Sequence, residues 1–92
     1  MNINMNKLKK YKLCGKIKAN ITGKLLYLLL DDLADGSGEI TIPQRKISNA
    51  LQISKSTVSR NLRKLKAAGY IEIVPQYRTD DGGRSSNKYI IK

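Results

Sequence analysis

The chain has 92 residues, room for one domain and one modest core, and its 18 Lys and Arg against 7 Asp and Glu give a formal net charge of +11. The absence of His removes the usual general base and the usual zinc-binding nitrogen, and a single Cys, Cys14, excludes an intrachain disulfide. The longest apolar run, Leu25 to Leu30, is far too short to cross a membrane, and the basic start leads into no apolar signal region, so a reducing, cytoplasmic setting is expected.

Residues 1–20 read as a basic N-terminal arm, with partial order left open by the sequence. Positions 1–10 look like a frayed tail, either solvated and loosely docked or touching DNA phosphate or a partner subunit. Leu13, Ile17 and Ile21 have helical spacing, but Gly15 weakens a helix there, and an extended segment over the core fits equally well. Lys7, Lys9, Lys10, Lys12, Lys16, Lys18 and Lys24 all fall in this first third with no acid among them. Asp31, Asp32 and Asp35 sit near one turn, and Asp80 and Asp81 at another. The cations between them are therefore little screened by carboxylates and open to a polyanion.

A domain is expected over 21–92. Its first helix should start at Thr22 as N-cap and run to Ala34, apolar over most of its circumference. Such a helix is either central to its own chain or lends a side to a partner. Asp35-Gly36-Ser37-Gly38 stops it, and Glu39-Ile40-Thr41-Ile42 alternates as a short strand. The segment from Asp35 to Ile40 superficially resembles an EF-hand loop, but Leu33 and Gln44 fall where its end ligands belong, so no metal is expected. Pro43 opens a helix of about two turns to Ala50, with Ile47 and Ala50 inward. Leu51-Gln52-Ile53 makes a corner with Gln52 facing water, and Ser54 caps the next helix. In that helix Val58, Leu62 and Leu65, followed by Ala68, form an apolar stripe, while Lys55, Ser56, Ser59, Arg60 and Arg63 project elsewhere. Gly69 ends it in a left-handed conformation. Tyr70 to Val74 and Lys88 to Ile91 read as strands, joined by a polar loop with a turn signal at Asp81-Gly82-Gly83.

This order resembles a winged helix-turn-helix domain of the bacterial and phage type. Pro43-Gln44-Arg45-Lys46-Ile47-Ser48 takes the place of the family's second helix, and Ile53 through Ile71 is similar to its third helix and following strand. The ending Gly83-Arg84-Ser85-Ser86-Asn87-Lys88-Tyr89 resembles a subgroup whose wing returns through Gly-Arg and Asn-x-Tyr. The resemblance implies an α+β fold with a three-helix core, a short strand and a C-terminal two-stranded β wing. It implies sequence-specific binding of double-stranded DNA, with transcriptional regulation as the leading role and a homodimer as the form that binds. Alternatives on the same scaffold are a protein-interaction module in a larger assembly and the DNA-binding component of plasmid or phage replication initiation.

If the helix that begins at Ser54 enters the major groove N-terminus first, Lys55, Ser56, Ser59 and Arg60 are the candidates for base reading, with Thr57 ranked lower beside inward Val58. Ser54 is more a cap than a reader. Arg63, Lys64 and Lys66 cannot all point into one groove, and each either holds phosphate or lies on a solvated face. Arg45 and Lys46 are phosphate candidates beside the groove, Arg78 and Arg84 candidates on the wing, and Lys88 one nearer the sheet. The wing loop is otherwise a segment with no DNA role. No nucleophile has a base beside it in sequence, so neither a catalytic residue nor a cofactor is expected.

Overall fold

The computed structural model describes residues 5–75 and 87–92. Four helices, α1 (Met5–Gly15), α2 (Ile21–Leu33), α3 (Gln44–Leu51) and α4 (Lys55–Ala67), pack with three strands, β1 (Glu39–Thr41), β2 (Ile71–Val74) and β3 (Lys88–Ile91). Leu26, Leu30, Ile47, Val58, Leu62, Leu65, Ile71 and Tyr89 are almost wholly removed from water and make one core shared by α2, α3, α4 and the sheet. Burying each such side chain is worth about 1.5 to 3 kcal/mol against exposure, so the core is the main stabilising term.

Within the segment read as a basic arm of open order, the structure places a helix. Residues 5–15 form α1, antiparallel to α2 and joined to it by polar links at both ends. Lys10 Nζ pairs with Asp31 and Asp32 near the end of α2. Near its start, Cys14 Sγ donates to the Lys24 carbonyl at 3.2 Å and Lys24 Nζ to the Gly15 carbonyl at 3.3 Å. The helix stops at Gly15, so Leu13, Ile17 and Ile21 do not form one stripe; Ile17 turns into the core while Leu13 and Ile21 stay exposed.

The cap of α2 also differs. Asn20, not Thr22, is the N-cap, its Oδ1 accepting the Gly23 amide at 2.7 Å. Gly23 is buried, and a Cβ there would stand 2.9 Å from Ala19 Cβ and 3.7 Å from Asn61 Oδ1 of α4, so the start of α2 lies in a tight place that admits no side chain. Ala50 and Ala68 are exposed rather than inward, because Ile47 and half-buried Leu51 fill the inner face of α3 and Leu65 is the last core residue of α4.

The sheet has the order β1-β3-β2, antiparallel throughout. It is thus three-stranded rather than a two-stranded ribbon with a separate short strand. Tyr89 in the middle strand lies opposite Ile40 on one side and Ile73 on the other, which explains its full burial. The loop between β2 and β3 lies outside the described residues, and with it Arg78, Arg84, Asp80, Asp81 and the Asp81-Gly82-Gly83 turn.

Candidate nucleic-acid interface

The corner between α3 and α4 is built by both apolar and polar contacts. Leu51 and Ile53 are half-buried against the core, and Gln52, exposed, takes the left-handed conformation at φ 55° that lets the chain reverse. Ser48 adds a clamp: its hydroxyl donates to the Ile53 carbonyl, and its own carbonyl accepts the Ile53 amide at 3.2 Å. The angle between the two helices is therefore held by a side chain on α3 as well as by packing.

Ser54 caps α4, its Oγ accepting the Thr57 amide at 3.1 Å, as expected for that position. The hydroxyls of Ser56 and Thr57 gather on the same oxygen, at 3.1 and 2.8 Å. Thr57 is half-buried with its amide and hydroxyl both engaged in the cap, whereas Ser56 is exposed. Lys55 and Arg60 are exposed on the outer face. Ser59 is half-buried, and Arg63 Nη2 donates to its Oγ at 3.1 Å, which holds this guanidinium along the helix surface.

The opposite face of α4 is committed to the core through Val58, Leu62 and Leu65. Asn61 lies among them, 5% exposed, with Nδ2 donating to the Thr57 carbonyl at 2.9 Å. A polar residue three positions after Val58 and four before Leu65 interrupts the apolar stripe; that interruption is the sequence signal for its role in seating α4 against Gly23. Tyr70, just beyond the helix, is a second residue whose role the sequence alone leaves unread. Its OH accepts the Lys18 amide at 3.0 Å, and its ring meets Tyr27 edge-on at 6.2 Å. The end of α4 is thereby tied to the segment before α2 and to α2 itself.

Arg45 and Lys46 are exposed on the first turn of α3, and Lys64 and Lys66 on the last turns of α4. No carboxylate among the described residues lies within ion-pair distance of Arg45, Lys46, Lys55, Arg60, Arg63, Lys64 or Lys66. Lys88 differs, since its Nζ stands 3.3 Å from Glu39 Oε1 across the β1–β3 pair, and a phosphate there would compete with that carboxylate. The structure thus brings to α3 and α4 a cationic surface with no carboxylate partner among the described residues, beside the positive dipole end of α4. No helix among the described residues is long and apolar enough to cross a membrane.

A family model described as a helix-turn-helix domain matches residues 19–71, more than half of the chain, from the turn before α2 to the first residue of β2. No curated protein and no solved structure matches the chain.

Proposed function

From the premise that this chain belongs to the helix-turn-helix domain family, a family of DNA-binding modules, we propose that it is a sequence-specific regulator of transcription that inserts α4 into the major groove of double-stranded DNA. The observation that carries this reading is the division of α4 into a buried stripe of Val58, Leu62 and Leu65 and an outer face of Lys55, Ser56, Ser59, Arg60 and Arg63. In such a docking, the capped N-terminus of α4 leads. Lys55, Ser56 and Arg60 then reach base edges, while Thr57, held in the cap, serves mainly to orient that first turn. Ser59 and Arg63 act as a pair: the hydrogen bond sets the guanidinium beside the hydroxyl, which keeps its own O–H to donate, while Arg63 keeps its remaining N–H groups. Arg45, Lys46 and Lys64 hold flanking phosphates.

In this role the chain works in the compartment that holds the DNA, the cytoplasm if the source is bacterial, and binds rather than catalyses. The deciding experiment is selection of genomic DNA fragments by the protein followed by binding of Arg60→Ala to the enriched site and to random DNA. Arg60→Ala is expected to lose about 1 to 3 kcal/mol of discrimination, with little change on random sequence. An equal loss on both would remove Arg60 from base reading, and no enriched site at all would overturn sequence-specific regulation in favour of a docking module.

A further inference from the structure

Asn61 is a polar side chain on the buried face of α4, 5% exposed and in line with Val58, Leu62 and Leu65. A leucine of nearly the same shape would continue the stripe, whereas burying an amide costs stability unless its hydrogen bonds are replaced. Packing alone therefore gives no reason for an amide here. What the amide adds is one bond: Nδ2 donates to the Thr57 carbonyl at 2.9 Å, an oxygen that in an α-helix already accepts the backbone amide of residue 61.

The first turn of α4 converges on Thr57. Its amide donates to Ser54 Oγ at 3.1 Å and its hydroxyl lies 2.8 Å from the same oxygen, so the cap holds one side of Thr57 and Asn61 holds the other. Ser54, Lys55 and Ser56 are exposed, and Val58 is the first residue of the helix to enter the core. The turn that carries the base-reading candidates is thus joined to the interior by Val58 and by the chain from Ser54 through Thr57 to Asn61. At the inner end of that chain, Asn61 Oδ1 lies 3.7 Å from where a Cβ of Gly23 would stand, and Asn20 Oδ1, which caps α2, lies 3.4 Å from the same point. The bare backbone of Gly23 leaves room for the amide between α2 and α4.

We propose that Asn61 is a positioning residue for base reading: through the Thr57 carbonyl it sets the orientation of the first turn of α4, and with it Lys55, Ser56 and Arg60. Asn61 itself touches no base. Side chains that read base edges must be held to within about 0.5 Å, and a hydrogen bond from the core serves that end. The proposal rests on the DNA-binding reading and adds to it a residue on the face of α4 turned away from the groove.

Asn61→Thr and Asn61→Val test it, because the two replacements share a shape and differ in one respect. A threonine hydroxyl can donate to the carbonyl four residues back, and valine has no donor. Without DNA, the amides of Thr57 and Val58 should exchange about 2- to 10-fold faster in Asn61→Val, the worth of one hydrogen bond, with those of Leu62 and Leu65 unchanged. Asn61→Thr should stay close to the wild type. On DNA, the affinity for the selected site over random sequence should fall about fivefold or more in Asn61→Val and recover in Asn61→Thr. The urea midpoint of Asn61→Val should be no lower than that of Asn61→Thr, since valine is the better core residue. Exchange equal in the two variants, or discrimination that simply follows the urea midpoint, would overturn the proposal. A wild type that selects no DNA site would overturn base reading by α4 and this role with it; the exchange difference would still stand, which separates that failure from a failure of the hydrogen bond.

Discussion

A methyl group at position 23 has nowhere to go. Its Cβ would stand 2.9 Å from Ala19 Cβ, both atoms are held close to backbone, and neither is the end of a flexible chain. Gly23→Ala should therefore cost about 1 to 3 kcal/mol despite the gain in helix propensity, measured by urea unfolding. Asp35 is a different case, because its contribution depends on pH. Its Oδ1 accepts the Glu39 amide at 3.0 Å and both the amide and hydroxyl of Ser37 at 2.9 Å. The Glu39 amide first, then the Ser37 hydroxyl and amide, hold this carboxyl below the usual carboxylate value. A depressed folded value means that the contribution is complete above the unfolded value of about 3.9 and fades as pH falls through the folded one. Wild type should melt higher than Asp35→Asn at neutral pH, and the difference should close on acidification below that range. A gap that persisted in acid would show that charge on Asp35 is not what the turn uses.

At the scale of elements, α3, α4 and the strands were legible because each carries its own local signals. Pro43 and Ser54 mark two helix starts, Gly69 at φ 86° marks the end of α4, and the alternation of β2 matches its burial. The helix α1 was not legible, since what holds it lies far away in sequence. Lys10 finds Asp31 and Asp32 twenty-odd residues on, and Cys14 finds the Lys24 carbonyl. Composition alone gives such a segment the look of a tail, with only Cys14 and Ile17 buried among its described residues. Lys10→Glu reverses the charge that faces both aspartates and should raise hydrogen exchange across α1 while leaving the amides of α4 protected. Equal loss of protection in both helices would mean that α1 is part of the same cooperative unit as α4. Within the candidate interface, the residue types of α4 were legible from periodicity. The engagement of Thr57 in the cap and of Ser59 with Arg63 was not, because hydroxyl partners depend on rotamers that spacing does not encode.

For the molecule as a whole, charge placement rather than total charge sets the behaviour toward DNA. The carboxylates at the end of α2 are spent on Lys10 and on the turn at Asp35, and Glu39 is spent on Lys88, so the cations of α3 and α4 have no internal rival among the described residues. Arg45→Ala should accordingly weaken binding by a similar factor on target and random DNA, and make the log–log salt dependence shallower by about 0.9. An unchanged slope would take Arg45 off the phosphate backbone. The three-layered relation of α1, α2 and the core was hidden from the sequence for the same reason as α1 itself: the stretch from Ile21 to Leu33 reads as an all-round apolar helix until its neighbours are known.

The strand order β1-β3-β2 has a consequence for synthesis. The two outer strands, β1 and β2, are made first and pair only with β3, never with each other. Until residues 88–91 have left the ribosome, both wait with open edges, and the core lacks the ring of Tyr89. The sheet therefore closes only when β3 comes between two strands made well before it, so its assembly rests on contacts of long sequence separation.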